Sequence, residues 1–341
     1  MSISLTSSII IFFTSALTIA IAGTKMSRVA DTLADKTGLG EALTGSLLLA
    51  GSTSLPGIVT SITAAAMGHP QLAISNALGG IAVQTAFLTI ADLAYPKANL
   101  EHAVASVTNL IQGILLIGLL IIPVLATTVP DLSILEIHPA SLLLIVTYIF
   151  GLTLIAKARE KPMWKPLKTN LTRLDEPKKH LLNKNQKNSW LLFLFLALLT
   201  AIAGYAIAKS GLFIVSQTGI SEGIMGGLFI AIFTSLPELV TSVAAVKQGA
   251  LTMAVSNIIG GNSFDVLFLA CADFAYHEGT IYQAFSTSNI FTLALTILMS
   301  AVLVLGLLRR EKYGFGKIGF ESLIIIILYL GGSSLLFFNI K

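Results

Sequence analysis

The sequence predicts an all-α polytopic membrane protein, with ten transmembrane helices arranged as two inverted-topology five-helix repeats. Three observations lead there. The chain is 55% hydrophobic and only 11% charged over 341 residues. It divides into ten long apolar stretches, and its second half repeats its first at a constant offset.

A soluble domain carries roughly 25% charged residues, and the mean hydropathy here is +0.86, so most of this surface must face lipid. A spanning helix needs about 20 apolar residues. Such stretches lie near 3–23, 42–67, 71–95, 103–126 and 139–157, then near 189–208, 222–246, 251–275, 282–308 and 318–338. Leu, Ile and Ala dominate them, and helices satisfy their own backbone in lipid. The chain therefore divides into a first repeat (1–157), a basic cytoplasmic linker (158–188) and a second repeat (189–341).

Orientation follows from charge. No Lys or Arg precedes Lys25, so the first span is not read as a cleavable signal and its N-terminus is expected outside. All of the 21 Lys and Arg residues except Lys209 and Lys341 then fall in or beside cytoplasmic loops, ten of them between Lys157 and Lys187. An integral protein of a bacterial or archaeal inner (plasma) membrane is expected, with N- and C-termini outside. On this reading the pI near 9.1 is a topology signal and implies no nucleic-acid partner. The single cysteine, Cys271, excludes an internal disulfide and a Cys-rich metal site. The five histidines (His69, His102, His138, His180 and His277) fall at span ends or in loops and are read as solvated interface residues.

The repeat is strict. Between Thr37–Tyr95 and Thr218–Tyr276, at an offset of 181, 26 of 59 positions are identical without a gap. "TSLPGIVTS" at Thr53–Ser61 returns as "TSLPELVTS" at Thr234–Ser242, with Gly57 in the place of Glu238. Five spans per half is an odd number, so the second copy enters the membrane upside down. That is the layout of secondary transporters, which bind substrate between the repeats near the midplane.

Depth selects the candidate site. Pro56 lies 15 residues beyond Glu41, about 22 Å along a helix. A proline there removes a hydrogen bond and breaks or kinks the helix, which would expose oxygens around Thr53 and Ser54, and in the second repeat around Thr234, Ser235 and Pro237. Asp265 is 14 residues into its span, at about the same depth. Its repeat mate is Gln84, and Asn76 and Asn257 lie eight residues earlier on roughly the same side. Glu238 and Asp265 are the only ionisable side chains expected near midplane, with no Lys or Arg to pair with them. Buried carboxylates without a counter-charge must be protonated, hydrogen-bonded or cation-bound, and inside a membrane they point to an ion pathway. Gly79–Gly80 and Gly260–Gly261 are read as close helix crossings. Glu41 and Glu222 are read as helix-start acids, and Asp92 and Asp273 as interfacial acids.

These motifs resemble the alpha repeats of the cation/calcium antiporter superfamily, nearest to the prokaryotic sodium/calcium exchanger type. "TSLPELVTS" with "SNIIGGNSFD", and "TSLPGIVTS" with "SNALGG", carry the resemblance. It implies a transporter and not an enzyme, with no catalytic residue and no cofactor, that exchanges Ca²⁺ for Na⁺, H⁺ or K⁺. Its expected partners are the lipid bilayer and inorganic cations, with no obligate protein partner. The ion site it implies uses Thr53, Ser54 and Gln84 with Thr234, Ser235, Glu238 and Asp265. The chain departs from the family where Gly57 replaces an acid, where Gln84 replaces Asn or Asp, and where two ligand-like serines are missing beside the glycine pairs. Ca²⁺ takes six to eight oxygens, so the missing acid implies a changed ion preference or fewer counter-ions. A monovalent cation/proton antiporter, or a non-transporting ion-binding regulator of the same fold, is the alternative.

Overall fold

A computed structural model describes residues 4–37, 44–104, 106–129, 133, 136–160, 162–172, 186–314 and 318–339. Among the described residues nine helical stretches are long and apolar enough to cross a membrane. A further 23-residue helix, α3 (Thr44–Ala66), is richer in Ser and Thr.

The first half opens with α1 (Leu5–Thr18), which runs through a π-turn, Ile19–Gly23, into α2 (Thr24–Thr37). The first span therefore does not stop near residue 23. Polarity begins at Lys25, but nothing there ends a helix. Met26, Ala30 and Leu33 continue a fully buried stripe at helical spacing. After α3 come α4 (Pro70–Leu93), the short α5 (Leu100–Ala103), α6 (Val107–Thr128) and α7 (Pro139–Glu160). The second half repeats this order, beginning with α8 (Gln186–Thr218), which is likewise longer than the expected 189–208. Next are α9 (Glu222–Ile224), a π-helical segment Met225–Ile230, α10 (Ala231–Thr234) and α11 (Leu236–Gln248). Then follow α12 (Leu251–Asp265), α13 (Leu267–Ala275), α14 (Thr287–Arg309) and α15 (Phe320–Asn339).

The symmetry of the sequence reappears in detail. Gly68 and Gly249, equivalent residues, end α3 and α11 at φ +76° and +82°, a left-handed turn that a side chain would strain. Gly204 on α8 lies against Pro56: a Cβ there would be 2.6 Å from the Pro56 carbonyl oxygen. Its mate Gly23 lies against Pro237, where a Cβ would be 2.6 Å from the ring Cγ. Each repeat's first long helix therefore touches the proline of the other repeat.

The breaks expected at both prolines occur only in the second repeat. There the helix divides at Ser235 (φ −93°, ψ 3°), between α10 and α11. In the first repeat α3 continues through Pro56. Close packing supports it: the Thr60 hydroxyl donates to Pro56 O at 2.8 Å and to Gly204 O at 3.0 Å, and glycine at 204 permits that approach. Likewise α4 is continuous where the second repeat breaks between Asp265 and Leu267.

Several polar residues read as interfacial are buried and bonded. Asp92 accepts from Leu100 N at 2.7 Å and Gly319 N at 3.0 Å. Asp273 accepts from Ile281 N at 2.8 Å and His138 N at 2.9 Å, the equivalent backbone positions. Both acids are thus caps for chain turns, each reaching one turn in the opposite half. Glu222 does more than open its own helix, since it accepts from Leu72 N at 3.3 Å and meets His69 Nδ1 at 2.6 Å. Glu41 lies outside the described residues. Two histidines also depart from expectation, whereas His277 is exposed and His180 lies outside the described residues. His138 is 5% exposed and accepts from Ala140 N at 3.1 Å. His102 is 9% exposed and donates through Nδ1 to Arg310 O at 2.7 Å. Each sits where a chain turn leaves backbone groups unpaired, so its ring nitrogens serve the backbone and not water.

Candidate functional site

α4 is the central helix, and every residue from Leu72 to Thr89 is buried. Helices α3 and α10–α12 pack around it. This brings together the Ser and Thr residues before each proline, the glycine pairs, and the two carboxylates.

Asp265 ends α12, and each of its carboxylate oxygens takes one hydrogen bond from the first repeat. Ser54 Oγ donates to Oδ1 at 2.5 Å, and Gln84 Nε2 donates to Oδ2 at 2.6 Å. Gln84 Nε2 also donates to Ser235 Oγ at 3.1 Å. Glu238 stands in the first turn of α11, at the positive end of that helix's dipole. It is 1% exposed, and neither carboxylate oxygen has a hydrogen bond within normal geometry, although the Thr53 side chain faces it. The two acids are near enough to repel one another. Among the described residues no Lys or Arg pairs with either of them.

Seven of the nine candidate residues line one buried region: Thr53, Ser54, Gln84, Thr234, Ser235, Glu238 and Asp265. Asn76 adjoins it in a positioning role. Its Nδ2 donates to Gly57 O at 3.1 Å and Ser61 Oγ at 2.8 Å, while Thr234 Oγ1 donates to its Oδ1 at 3.5 Å. Asn257 is not brought to the carboxylates. Its amide donates to Thr241 Oγ1 at 2.9 Å and Ser242 Oγ at 3.2 Å, two helical turns from Asp265. Sequence reasoning missed Asn262 as a candidate. It is fully buried one turn before Asp265, donates to Thr85 Oγ1 at 2.9 Å, and keeps an unbonded Oδ1. Its i−3 spacing from Asp265 was the available signal.

The region is rich in acceptors and poor in donors. Gln84 Oε1, both Glu238 oxygens and Asn262 Oδ1 are buried without a hydrogen bond. Unpaired buried acceptors are costly, and a cation would satisfy several at once. No group of three or more His, Cys, Asp or Glu among the described residues could hold a metal. An ion here would therefore lean on hydroxyl, amide and backbone oxygens beside the two carboxylates.

Access is unequal. A cavity of about 100 Å³ is lined by Gln112, Tyr148, Ile155, Ser256, Asn257 and Gly260, among others. It lies where α7 ends and α12 begins, the end that carries the linker. It continues to Gly261, where a Cβ would be 3.5 Å from Gln84 Oε1 and 4.0 Å from Glu238 Cγ. The equivalent stretch of α4 has a smaller cavity, about 40 Å³, lined by Ser75, Gly79, Gly227, Asn289 and Tyr329 among others, and it narrows at Gly79, where a Cβ would be 2.2 Å from Gly227 O, backbone against backbone. So Gly79 makes the expected helix crossing, whereas its mate Gly260 opens onto the larger cavity.

A buried, counter-charge-free acid pair between two inverted repeats, with a larger cavity on one side and a smaller one on the other, defines an ion-transport fold. The chain belongs to the sodium/calcium exchanger family, which matches residues 7–157 and 187–338. It is 30% identical over 311 residues to the putative antiporter CaxA of Alkalimonas amylolytica, covering 90% of this chain and 92% of that one. Among solved structures, the fold is similar to the H⁺/Ca²⁺ exchanger CAX, with TM-score 0.70 and 14% identity over 97% of this chain and 82% of that one. It is also similar to the sodium-calcium exchanger NCX_Mj, with TM-score 0.63 and 19% identity over 98% of this chain and 100% of that one. The protein is an integral membrane protein of a transporter family.

Proposed function

We propose that this chain is a secondary active antiporter that exchanges Ca²⁺ or another divalent cation for H⁺ or Na⁺ by alternating access. The observation that carries this reading is the pair Glu238 and Asp265, buried and without a cationic partner, among unbonded oxygens at the meeting of the two repeats. Two carboxylates balance one divalent ion or two protons, so a single site serves both halves of an exchange cycle. The names of the relatives, an antiporter and calcium exchangers, support the same ion class.

The present conformation suits loading from the linker end. Closing the cavity beside Gly260 and parting the Gly79–Gly227 contact would expose the site at the other end, with each repeat taking the packing its mate has now. The Lys and Arg distribution supports placing the linker (158–188) in the cytoplasm and both termini outside, in a bacterial or archaeal plasma membrane. On this reading 1–157 and 189–341 move as the two repeats, a single chain completes the path, and no chemical step is catalysed.

A second reading, exchange of a monovalent cation for one proton, is favoured by Gly57, which leaves the site one acid short of the family pattern. Reconstitution into liposomes separates the two. Ca²⁺ uptake driven by a proton or Na⁺ gradient, and lost in Glu238→Gln, supports the first. Gradient-driven Na⁺ or K⁺ flux with no divalent flux supports the second. Absence of any coupled flux would overturn both.

A further inference from the structure

Gly57 occupies the place in its repeat that Glu238 holds in the other. Two explanations of the missing side chain make different demands on the backbone. A glycine kept for left-handed backbone would have positive φ, but among the described residues the positive-φ glycines are Gly68, Gly219, Gly249 and Gly279. Gly57 is inside the right-handed helix α3. What it lacks is room. A Cβ on Gly57 would lie 2.7 Å from Phe268 Cε2 and 3.2 Å from Cζ, well inside the 3.5–4.0 Å optimum for carbon contacts.

Phe268 is only 3% exposed and belongs to α13, three residues beyond Asp265. The helix break after Asp265 starts α13 on a new course against α3. Its repeat mate, Phe87, lies on the unbroken α4, and in that half the side chain of Glu238 is accommodated. The backbone of position 57 is also tethered, because its carbonyl accepts from Asn76 Nδ2 at 3.1 Å. Neither the ring nor the glycine has an easy retreat.

We propose that Phe268 is a specificity-determining residue: its ring fills the place of a side chain at position 57 and so holds the cation site at two carboxylates. The inference rests on the reading above that Glu238 and Asp265 bind the exchanged ion. It turns the absent charge from a lone substitution into one half of a packing pair. Readmitting an acid at 57 then requires a smaller residue at 268.

The test is a double-mutant cycle on the purified full chain in detergent, with Ca²⁺ as the probe ion. Gly57→Glu alone is expected to lower the unfolding temperature and weaken Ca²⁺ binding. Phe268→Leu, which removes the contacting Cε2 and Cζ while keeping the core apolar, is expected to leave Ca²⁺ affinity within about threefold of wild type. The double variant is expected to recover the lost stability and bind Ca²⁺ at least about tenfold more tightly than wild type, since a third carboxylate adds charge and oxygens. The charge-free pair Gly57→Ala and Phe268→Leu should show the same non-additive recovery of unfolding temperature. Additive unfolding temperatures in both cycles would overturn the proposal, as would a Gly57→Glu single variant that is stable and binds tightly. A Glu238→Gln variant with unchanged Ca²⁺ affinity would sink the cation-site reading instead, and the charge-free cycle would still report on the packing.

Discussion

Gln84 and Asp265 are equivalent residues of the two repeats, 181 positions apart, and they hydrogen-bond to each other at 2.6 Å. The pseudo-twofold axis therefore passes between an amide and a carboxylate. The relation extends outward, since Ser54 of the first repeat donates to Asp265 and Ser235 of the second accepts from Gln84. Two like carboxylates at this spacing would repel unless a proton or cation lay between them. Glutamine supplies a donor in place of that ion and leaves its Oε1 unbonded. One member of the pair is thus permanently neutral, and only the other can carry a charge.

The acid pair sets the first prediction. Glu238→Gln and Asp265→Asn should each leave the protein folded and abolish coupled Ca²⁺ flux in liposomes. Loss of one charge from a buried anionic site costs a bound cation about 3 kcal/mol, roughly a hundredfold in affinity. Normal flux in Glu238→Gln would show that the ion path lies elsewhere.

The capping acids should behave differently. Asp92→Asn or Asp273→Asn keeps one acceptor oxygen and loses the other, so each strands one buried backbone N–H. A stability loss of about 1–3 kcal/mol is expected, read as a lower unfolding temperature, with Ca²⁺ affinity unchanged. A variant as stable as wild type would mean that the paired caps contribute nothing.

Glu101 gives a pH-dependent prediction. It is fully buried on the short α5, and burial, with the nearby Asp92 and Glu321 carboxylates adding to it, raises its pKa well above the ordinary range of a carboxyl group. A carboxyl whose pKa is raised by folding favours the folded state fully below its unfolded pKa. That contribution falls as pH rises toward the folded pKa. Glu101→Gln should therefore be more stable than wild type at pH 8, with the difference shrinking toward pH 5 in thermal unfolding scans. An offset independent of pH would contradict it.

Orientation and access can be checked in one labelling series, in a Cys271→Ser background. Lys168→Cys on the linker should be shielded from an impermeant thiol reagent outside cells, while Ser133→Cys should react. Ser256→Cys, beside the cavity, should react from the linker side. Its mate Ser75→Cys, 5% exposed beside the smaller cavity at the Gly79–Gly227 contact, should react more slowly, and not from the linker side. External labelling of Lys168→Cys would reverse the proposed topology.

Much of this was legible in the sequence because repetition and depth are both linear properties. The 181-residue offset located Gln84 opposite Asp265, and hydropathy located the spans. What stayed hidden depended on packing. Identical "TSLP" segments gave a continuous helix in one half and a broken one in the other, although each proline meets a glycine of the opposite repeat and accepts from the threonine one turn on; only Thr60 also bonds across, to Gly204 O. Asp92 and Asp273 looked like surface acids, since their backbone partners lie eight and more than 130 residues away. The crowding of Gly57 by Phe268 could not be read from spacing, because it depends on the course of α13 after the break.

The crossed caps also constrain how the chain is made. Asp92 reaches Gly319, and Asp273 reaches His138. When the ribosome has delivered only the first five spans, through Glu160, Asp92 has its local partner Leu100 but must wait for another 159 residues, from 161 to 319, to acquire the second. The amide of His138, already made, stays unpaired until Asp273 arrives. Neither half can reach its final hydrogen bonding alone, so the first half finishes maturing only when the second is nearly complete.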